Sequence, residues 1–326
     1  MLITRSTPRF AALRCIRSTM LGLSLLAAVG GCASQGTLNT FYRLERSLAG
    51  LSEHSVQVAD HRWEYAEGGQ GEPVVLLHGF AASKEIWMRM VCEMPDGYRY
   101  VIPDLPGFGN SSYLPDADYD VASQVARLHA FVQQIGLTRF HLIGNSMGGN
   151  LAALYAASHP QQVASLALFA PSGVAQPTPS PYTRDYLERG QPTLVVGSRA
   201  DYRRVFGDAF VDPPFVPGFI LDTLADMQIA RRDDYLRMYQ QFWHKRTPLE
   251  PLLGQIGAPV LLLWGDQDRI LDVSAAQVFK QGLPQAELVV WPNVGHTPML
   301  EKAADSARLY AGFLSRNRHP AVAAMR

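Results

Sequence analysis

Residues 140–149 read Phe140-His141-Leu142-Ile143-Gly144-Asn145-Ser146-Met147-Gly148-Gly149, and this stretch decides the fold class of the chain. An apolar run of strand type stops at a Gly-x-Ser-x-Gly pentad, and a helical pattern of small residues follows at once. This is the layout of a nucleophile elbow, a sharp strand-to-helix turn at the carboxyl edge of a parallel sheet. A side chain at Gly144 or Gly148 would collide with a neighbouring strand or helix. The pattern predicts that Ser146 is a nucleophile beside the free N–H groups of the next helix.

Length and composition indicate an ordered globular protein with no long disordered tract. The chain has 326 residues, of which 47% are hydrophobic and 18% charged, so it can form one large α/β domain or two smaller ones. Formal net charge is zero, but four arginines lie within the first 17 residues, whereas the first acidic residue is Glu45. The rest of the chain is therefore mildly acidic, which gives no support for nucleic-acid binding. Nothing in the sequence fixes an oligomeric state.

The first 31 residues have the pattern of a targeting segment. Arginines are followed by an apolar run over 20–29 and then by small residues, the order typical of a secretory signal. The run is shorter than the roughly 20 residues that a helix needs to span a bilayer. Val29-Gly30-Gly31-Cys32 also resembles the bacterial lipobox, in which the cysteine is acylated. We therefore expect a signal peptide over 1–31, lipidation of Cys32 and an outer-membrane lipoprotein facing the periplasm; a plain secretory signal or a short signal anchor is the alternative.

Strand and helix patterns alternate through most of the remaining chain. A helical pattern over 38–51 follows the targeting segment and is expected either to pack on the body, which we favour, or to lie on a membrane surface. Unbroken apolar strands that alternate with helices predict a mostly parallel, doubly wound sheet covered on both faces. The predicted strands are 56–59, 63–66, 74–77, 98–103, 139–143, 163–170, 259–264 and 287–291, and the predicted helices 86–94, 120–135, 147–158, 272–281 and 299–315.

The alternation breaks between residues 174 and 250. Helical patterns at 182–189, 199–207 and 217–243 have no strong strand between them, which predicts a helical cap over the carboxyl edge of the sheet. The division is then a signal peptide (1–31), an anchor and N-terminal helix (32–55), a core (56–173 and 251–316), a cap (174–250) and a tail (317–326). Large side chains of the cap are expected to line an acyl pocket, or else to form only the cap's own core: Tyr182, Tyr186, Tyr202, Phe206, Phe210, Phe215, Phe219, Met227, Met238, Phe242 and Trp243.

A serine nucleophile needs a base and an orienting acid. Asp266 and Asp268 follow the strand at 259–264, and His296 follows the next strand, so all three rise at the same sheet edge as Ser146. The order Ser, acid, His is that of doubly wound hydrolases. We favour Asp268 over Asp266, because a residue directly after the strand turns back into the loop. Asp266 is then a turn cap.

The oxyanion needs two N–H donors. The strand at 74–77 ends in Leu77-His78-Gly79-Phe80, and a sharp turn at Gly79 would aim the Phe80 N–H at the carbonyl oxygen. The Met147 N–H, after the nucleophile, would be the second donor. His78 is expected to brace this loop. No Cys and His cluster has zinc-ligand spacing, so neither a metal nor a cofactor is expected.

Five segments together resemble the α/β-hydrolase superfamily, and the likeness runs from about residue 56 to residue 314. Within that superfamily the chain is similar to the bacterial lipases and esterases of the monoacylglycerol-lipase-like branch. The segments are His78-Gly79-Phe80, Pro103-Asp104-Leu105-Pro106-Gly107-Phe108-Gly109, Gly144-Asn145-Ser146-Met147-Gly148-Gly149, Gly265-Asp266-Gln267-Asp268 and Gly295-His296.

The resemblance implies a serine hydrolase of carboxylic esters that acts through an acyl-enzyme on acylglycerols or other medium- and long-chain acyl esters. One alternative is a carbon–carbon bond hydrolase of ring-cleavage products, which shares Gly-Asn-Ser-x-Gly-Gly. Those enzymes carry further glycines and a proline where this chain has Phe80-Ala81-Ala82-Ser83. Another is a catalytically silent lipid-binding lipoprotein, against which the complete set of Ser146, Asp268 and His296 argues.

Overall fold

The computed structural model describes residues 35–318. The predicted signal peptide, the lipidation of Cys32 and the tail residues 319–326 lie outside these residues and stay predictions.

An eight-stranded sheet organises the described part of the chain. Its order is β1-β2-β4-β3-β5-β6-β7-β8. The pairs β1–β2 and β2–β4 are antiparallel, and every other neighbouring pair is parallel, as expected from the unbroken apolar strands. The strands are β1 (Leu51–Val58), β2 (His61–Gly69), β3 (Glu72–Leu77), β4 (Tyr98–Pro103), β5 (Phe140–Asn145), β6 (Val163–Phe169), β7 (Val260–Gly265) and β8 (Glu287–Trp291).

Helices cover both faces of the sheet. One buried apolar cluster joins Phe131 and Tyr155 to Phe279, and a second on the other face contains Met90 and Tyr310. This arrangement confirms the doubly wound α/β architecture. The helices are α1 (Gln35–Leu48), α2 (Met88–Cys92), α3 (Val121–Gln134), α4 (Met147–Ser158), α5 (Pro181–Arg189), α6 (Arg199–Asp208), α7 (Gly218–Ala230), α8 (Arg232–His244), α9 (Ser274–Gly282), α10 (Pro298–Glu301) and α11 (Ala303–Arg316), with 3₁₀ turns at Lys84–Trp87 and Leu253–Gln255.

Four predicted helices differ from the observed ones, since the pattern at 86–94 is a 3₁₀ turn at Lys84–Trp87 followed by the short α2 (Met88–Cys92). The first predicted helix ends at Leu48 instead of continuing to residue 51, because Gly50 takes a left-handed conformation (φ 69°) and β1 begins at Leu51. The pattern at 217–243 is two helices, broken where Arg231 leaves helical geometry (φ −111°, ψ 18°). Lys302 breaks the pattern at 299–315 in the same way (φ −128°, ψ 53°). Apolar periodicity continues across such breaks and therefore does not reveal them.

Helix α1 packs on the body. Its Leu38 and Arg46 side chains are buried, and the Arg46 guanidinium pairs with Glu85 and with Glu53. Of the two expectations for this helix, packing is therefore the one observed. Within residues 35–318, no helix has both the length and the apolar character needed to cross a membrane.

Candidate active site

Ser146 occupies the turn between β5 and α4. Its backbone is in the left-handed region (φ 56°, ψ −119°), a conformation that a non-glycine residue adopts at a cost. A Cβ on Gly144 would lie 2.1 Å from the Gly148 carbonyl oxygen, and one on Gly148 would lie 2.4 Å from that of Leu77. Neither position accepts a side chain, as the pentad predicted. The sharp turn leaves Ser146 at the carboxyl end of a central strand.

His296 is held by Asp268. The His296 Nδ1 lies 2.7 Å from Asp268 Oδ2, and both residues are buried. The other carboxylate oxygen accepts the N–H groups of Ile270 (2.8 Å) and Leu271 (2.9 Å). Trp264 Nε1 donates to Oδ2 at 3.1 Å. The bond at Nδ1 leaves the Nε2 of His296 as the nitrogen available to a hydroxyl.

Asp266 takes a different place. It is exposed, and its Oδ1 accepts the backbone N–H of Asn293 at 2.8 Å. Asn293 has a left-handed backbone (φ 54°), so this bond supports the turn that follows β8. The structure therefore brings Asp268 to His296 and leaves Asp266 in the turn-capping position.

Asn145, which the sequence reasoning did not single out, connects the nucleophile turn to the histidine loop. Its side-chain amide donates to the carbonyl of His296 at 3.2 Å and to that of Phe169 at 2.9 Å. The Ser146 N–H donates to the same Phe169 carbonyl at 3.1 Å. The only signal in the sequence is a polar residue at the end of a fully buried apolar strand.

The loop over 78–83 lies beside the nucleophile, and we call it the oxyanion loop. A Cβ built on Gly79 would be 3.2 Å from the Ser146 Cβ. His78 Nε2 accepts the Leu105 N–H (3.0 Å), so its Nδ1 carries the proton and donates to the Gly79 carbonyl (2.7 Å). Burial lowers the pKa of His78 and keeps the ring neutral. The expectation that His78 braces the loop is confirmed.

A buried ion pair holds the far end of the oxyanion loop. The Asp104 carboxylate accepts both the backbone N–H and the Nζ of Lys84, each at 2.7 Å. Burial alone would lower the pKa of Lys84, but the carboxylates of Asp104, Glu85 and Glu53 outweigh it and raise that pKa. Lys84 and Asp104 are fully buried, so removing Lys84 would leave the Asp104 carboxylate without its ion-pair partner. The loop is therefore fixed at both ends.

Ser146, Phe80 and Met147 line one cavity of about 370 Å³ between the cap and the sheet edge. Met147 is the first residue of α4, and the first N–H groups of a helix have no acceptor within it. Asp268 and His296 are not part of the lining. No group of His, Cys, Asp and Glu suited to a metal ion occurs among residues 35–318.

The cap supplies much of the cavity wall. Of the eleven large cap side chains considered above, Tyr182, Phe242 and Trp243 line the cavity. Tyr186 instead packs edge-on against Trp243, with ring centroids 4.7 Å apart, and Phe215 is 75% exposed. The cap aromatics thus divide into a cavity wall, an internal core and a surface group.

Known proteins share this architecture. The family model described as the alpha/beta hydrolase fold matches residues 72–207 and 218–303. A monoacylglycerol lipase of Xenopus laevis is 32% identical, over 85% of this chain and 86% of that protein. Lipase 3 of Moraxella sp. is 31% identical, over 91% of this chain and 97% of that protein.

The solved structures agree with the curated relatives. The crystal structure of a membrane phospholipase A, a bacterial virulence factor, is 41% identical with a TM-score of 0.84, covering 93% of this chain and 99% of its own. The chain therefore belongs to the α/β-hydrolase family and, within it, to the carboxylic ester hydrolases of the lipase type.

Proposed function

We propose that this carboxylic ester hydrolase cleaves medium- or long-chain acyl esters, acylglycerols among them, through an acyl-enzyme on Ser146. His296 removes the Ser146 proton as Oγ attacks the ester carbonyl, and then returns it to the leaving alkoxide. Asp268 orients His296, and the Phe80 and Met147 N–H groups stabilise the oxyanion. A water molecule, deprotonated by His296, then releases the carboxylic acid and restores Ser146.

The observation that carries this proposal is the cavity that joins Ser146 to the cap. Its volume of about 370 Å³ falls in the range of small-molecule pockets, and Phe242, Trp243 and Leu271 give it apolar walls. Each methylene buried there contributes up to about 0.8 kcal/mol. Longer acyl chains should therefore gain binding free energy in the transition state.

A series of esters of one alcohol with graded acyl chains tests the substrate class. We expect kcat/KM to rise from acetyl to at least octanoyl. A maximum at acetyl with a steady fall would contradict the lipase proposal and favour a small-ester esterase or the carbon–carbon bond hydrolase.

Ser146→Ala and His296→Ala test the mechanism on the same esters. Turnover should fall on the order of 10⁴–10⁶-fold, and a fluorophosphonate should label wild-type Ser146 covalently. An unlabelled, inactive wild-type protein would favour the silent lipid-binding lipoprotein.

We also propose that a lipid on Cys32 anchors the protein in the outer membrane, facing the periplasm. The lipobox supports this, as do exposed apolar side chains between the end of α6 and the first turn of α7. There Val211, Phe215 and Phe219 are exposed, and they are three of the six large hydrophobic side chains exposed within residues 35–318. Exposed apolar side chains that lie this close together in the chain suit contact with a lipid surface.

Cys32→Ser should move the protein from the membrane fraction to a soluble or uncleaved form. In metabolic labelling, a fatty-acid probe should be incorporated into the wild-type protein and not into the variant. Wild-type protein that takes up no probe would overturn the anchor.

A further inference from the structure

Glu301, the last residue of α10, links the cap to the loop that carries His296. Its Oε2 accepts the Gly295 N–H at 2.9 Å. Its Oε1 accepts two cap N–H groups, those of Val211 at 3.2 Å and Asp212 at 3.0 Å. One carboxylate thus receives three backbone donors from two segments that are far apart in the sequence, and bonds of this kind are stronger when the acceptor is charged.

The cap backbone also contacts the histidine loop directly. The His296 N–H donates to the Ala209 carbonyl at 2.9 Å. A Cβ on Gly295 would lie 2.6 Å from that carbonyl oxygen and 2.8 Å from the Phe210 Cα. Because residue 295 is glycine, the cap segment can lie against the loop. Segment 209–212 therefore contacts the backbone of His296 from the cap side, and Asn145 bonds to the same residue from the sheet.

We propose that Glu301 is a positioning residue for ester hydrolysis, which fixes cap segment 209–212 against the His296 loop and so sets the place of the general base. The inference rests on the proposed role of His296. The cap then takes part in positioning the general base, because one carboxylate binds both the cap segment and the histidine loop. A displacement of about 1 Å at a reacting group can lower a rate by up to about 100-fold.

Glu301→Gln tests this link with little change of shape. Its amide NH₂ cannot accept a hydrogen bond, so either Gly295 or the cap loses its acceptor. For acetyl and octanoyl esters alike, we expect kcat to fall about tenfold with KM changed less than about twofold. Labelling of Ser146 by a fluorophosphonate should slow by a similar factor. Glu287→Gln is the matched control, since Glu287 pairs with Arg316 on the surface and should leave both rates unchanged.

Asp212→Pro removes one of the cap donors, because proline has no N–H. Asp212→Ala keeps the donor and changes only an exposed side chain, so it should behave as the wild type. The double variant Glu301→Gln/Asp212→Pro should lose no more activity than the more damaging single variant, since each change interrupts the same link between the cap and the histidine loop. Additive losses would contradict the link.

Thermal unfolding of each variant separates positioning from general stability. A Glu301→Gln protein that melts at a lower temperature but keeps the wild-type kcat and labelling rate overturns the inference. A wild-type Ser146 that takes no label would overturn the proposed mechanism instead, so the two failures are distinguishable.

Discussion

The sheet edge and the cap contribute to the site in different ways. Ser146, Asp268 and His296 follow the ends of β5, β7 and β8, where parallel pairing aligns the strand ends. The cap provides none of these three. It provides cavity walls and contacts two backbone segments near the site. Glu301 of α10 joins the cap to the histidine loop, and Gln228 of the cap bonds to the oxyanion loop. In the proposed mechanism, the sheet edge therefore carries the reacting residues, while the cap is proposed to select the acyl chain and to position the histidine loop.

The largest effect should come from the sheet edge, where two neighbouring aspartates take different places. Asp268→Asn should lower kcat on the order of 10⁴-fold, because the amide no longer holds His296 in the required tautomer. Asp266→Asn should cost less than about threefold, since Asp266 only caps an exposed turn. Steady-state kinetics on an octanoyl ester measure both. Equal losses in the two variants would break the assignment of the acid.

A cap wall residue should alter selectivity more than chemistry. Trp243→Ala removes a large side chain from the cavity, so the ratio of kcat/KM for octanoyl over acetyl should fall about tenfold. The acetyl ester itself should be hydrolysed at nearly the wild-type rate. Phe215→Ala, at an exposed cap aromatic that does not line the cavity, is the control and should leave the ratio unchanged. An equal fall in kcat/KM for both esters would mean that Trp243 affects the chemical step and not the selectivity for chain length.

The smallest effect should come from the contact between cap and oxyanion loop. Gln228 Nε2 donates to the Ala81 carbonyl at 2.9 Å, and Ala81 has a left-handed backbone (φ 53°) next to Phe80. Gln228→Ala should lower kcat about fivefold with KM unchanged, the equivalent of about 1 kcal/mol for one hydrogen bond. Gln133→Ala, at an exposed position of α3, should have no effect. If KM rises instead, the bond serves binding and not oxyanion stabilisation.

Much of this protein could be predicted without coordinates, because the deciding signals are local. Glycine is required at the positions around Ser146 because a Cβ there would clash with the backbone. The apolar pattern of a strand likewise reflects the burial of a few consecutive residues. The order of Ser146, Asp268 and His296 along alternating strands brings them to one edge of a parallel sheet. Their catalytic roles, and those of Phe80 and Met147, stay predictions until the variants are measured.

Only the tertiary structure decided how the cap meets this edge. Glu301 and Val211 are 90 residues apart in the chain, and Gln228 and Ala81 are 147 apart. The sequence also did not show which cap aromatics line the cavity, and the structure identifies them as Tyr182, Phe242 and Trp243. The apolar pattern shows that a cap side chain will be buried, but the partner it meets depends on segments brought together only when the whole chain folds. Local chemistry therefore specified the nucleophile turn, whereas long-range packing specified what surrounds it.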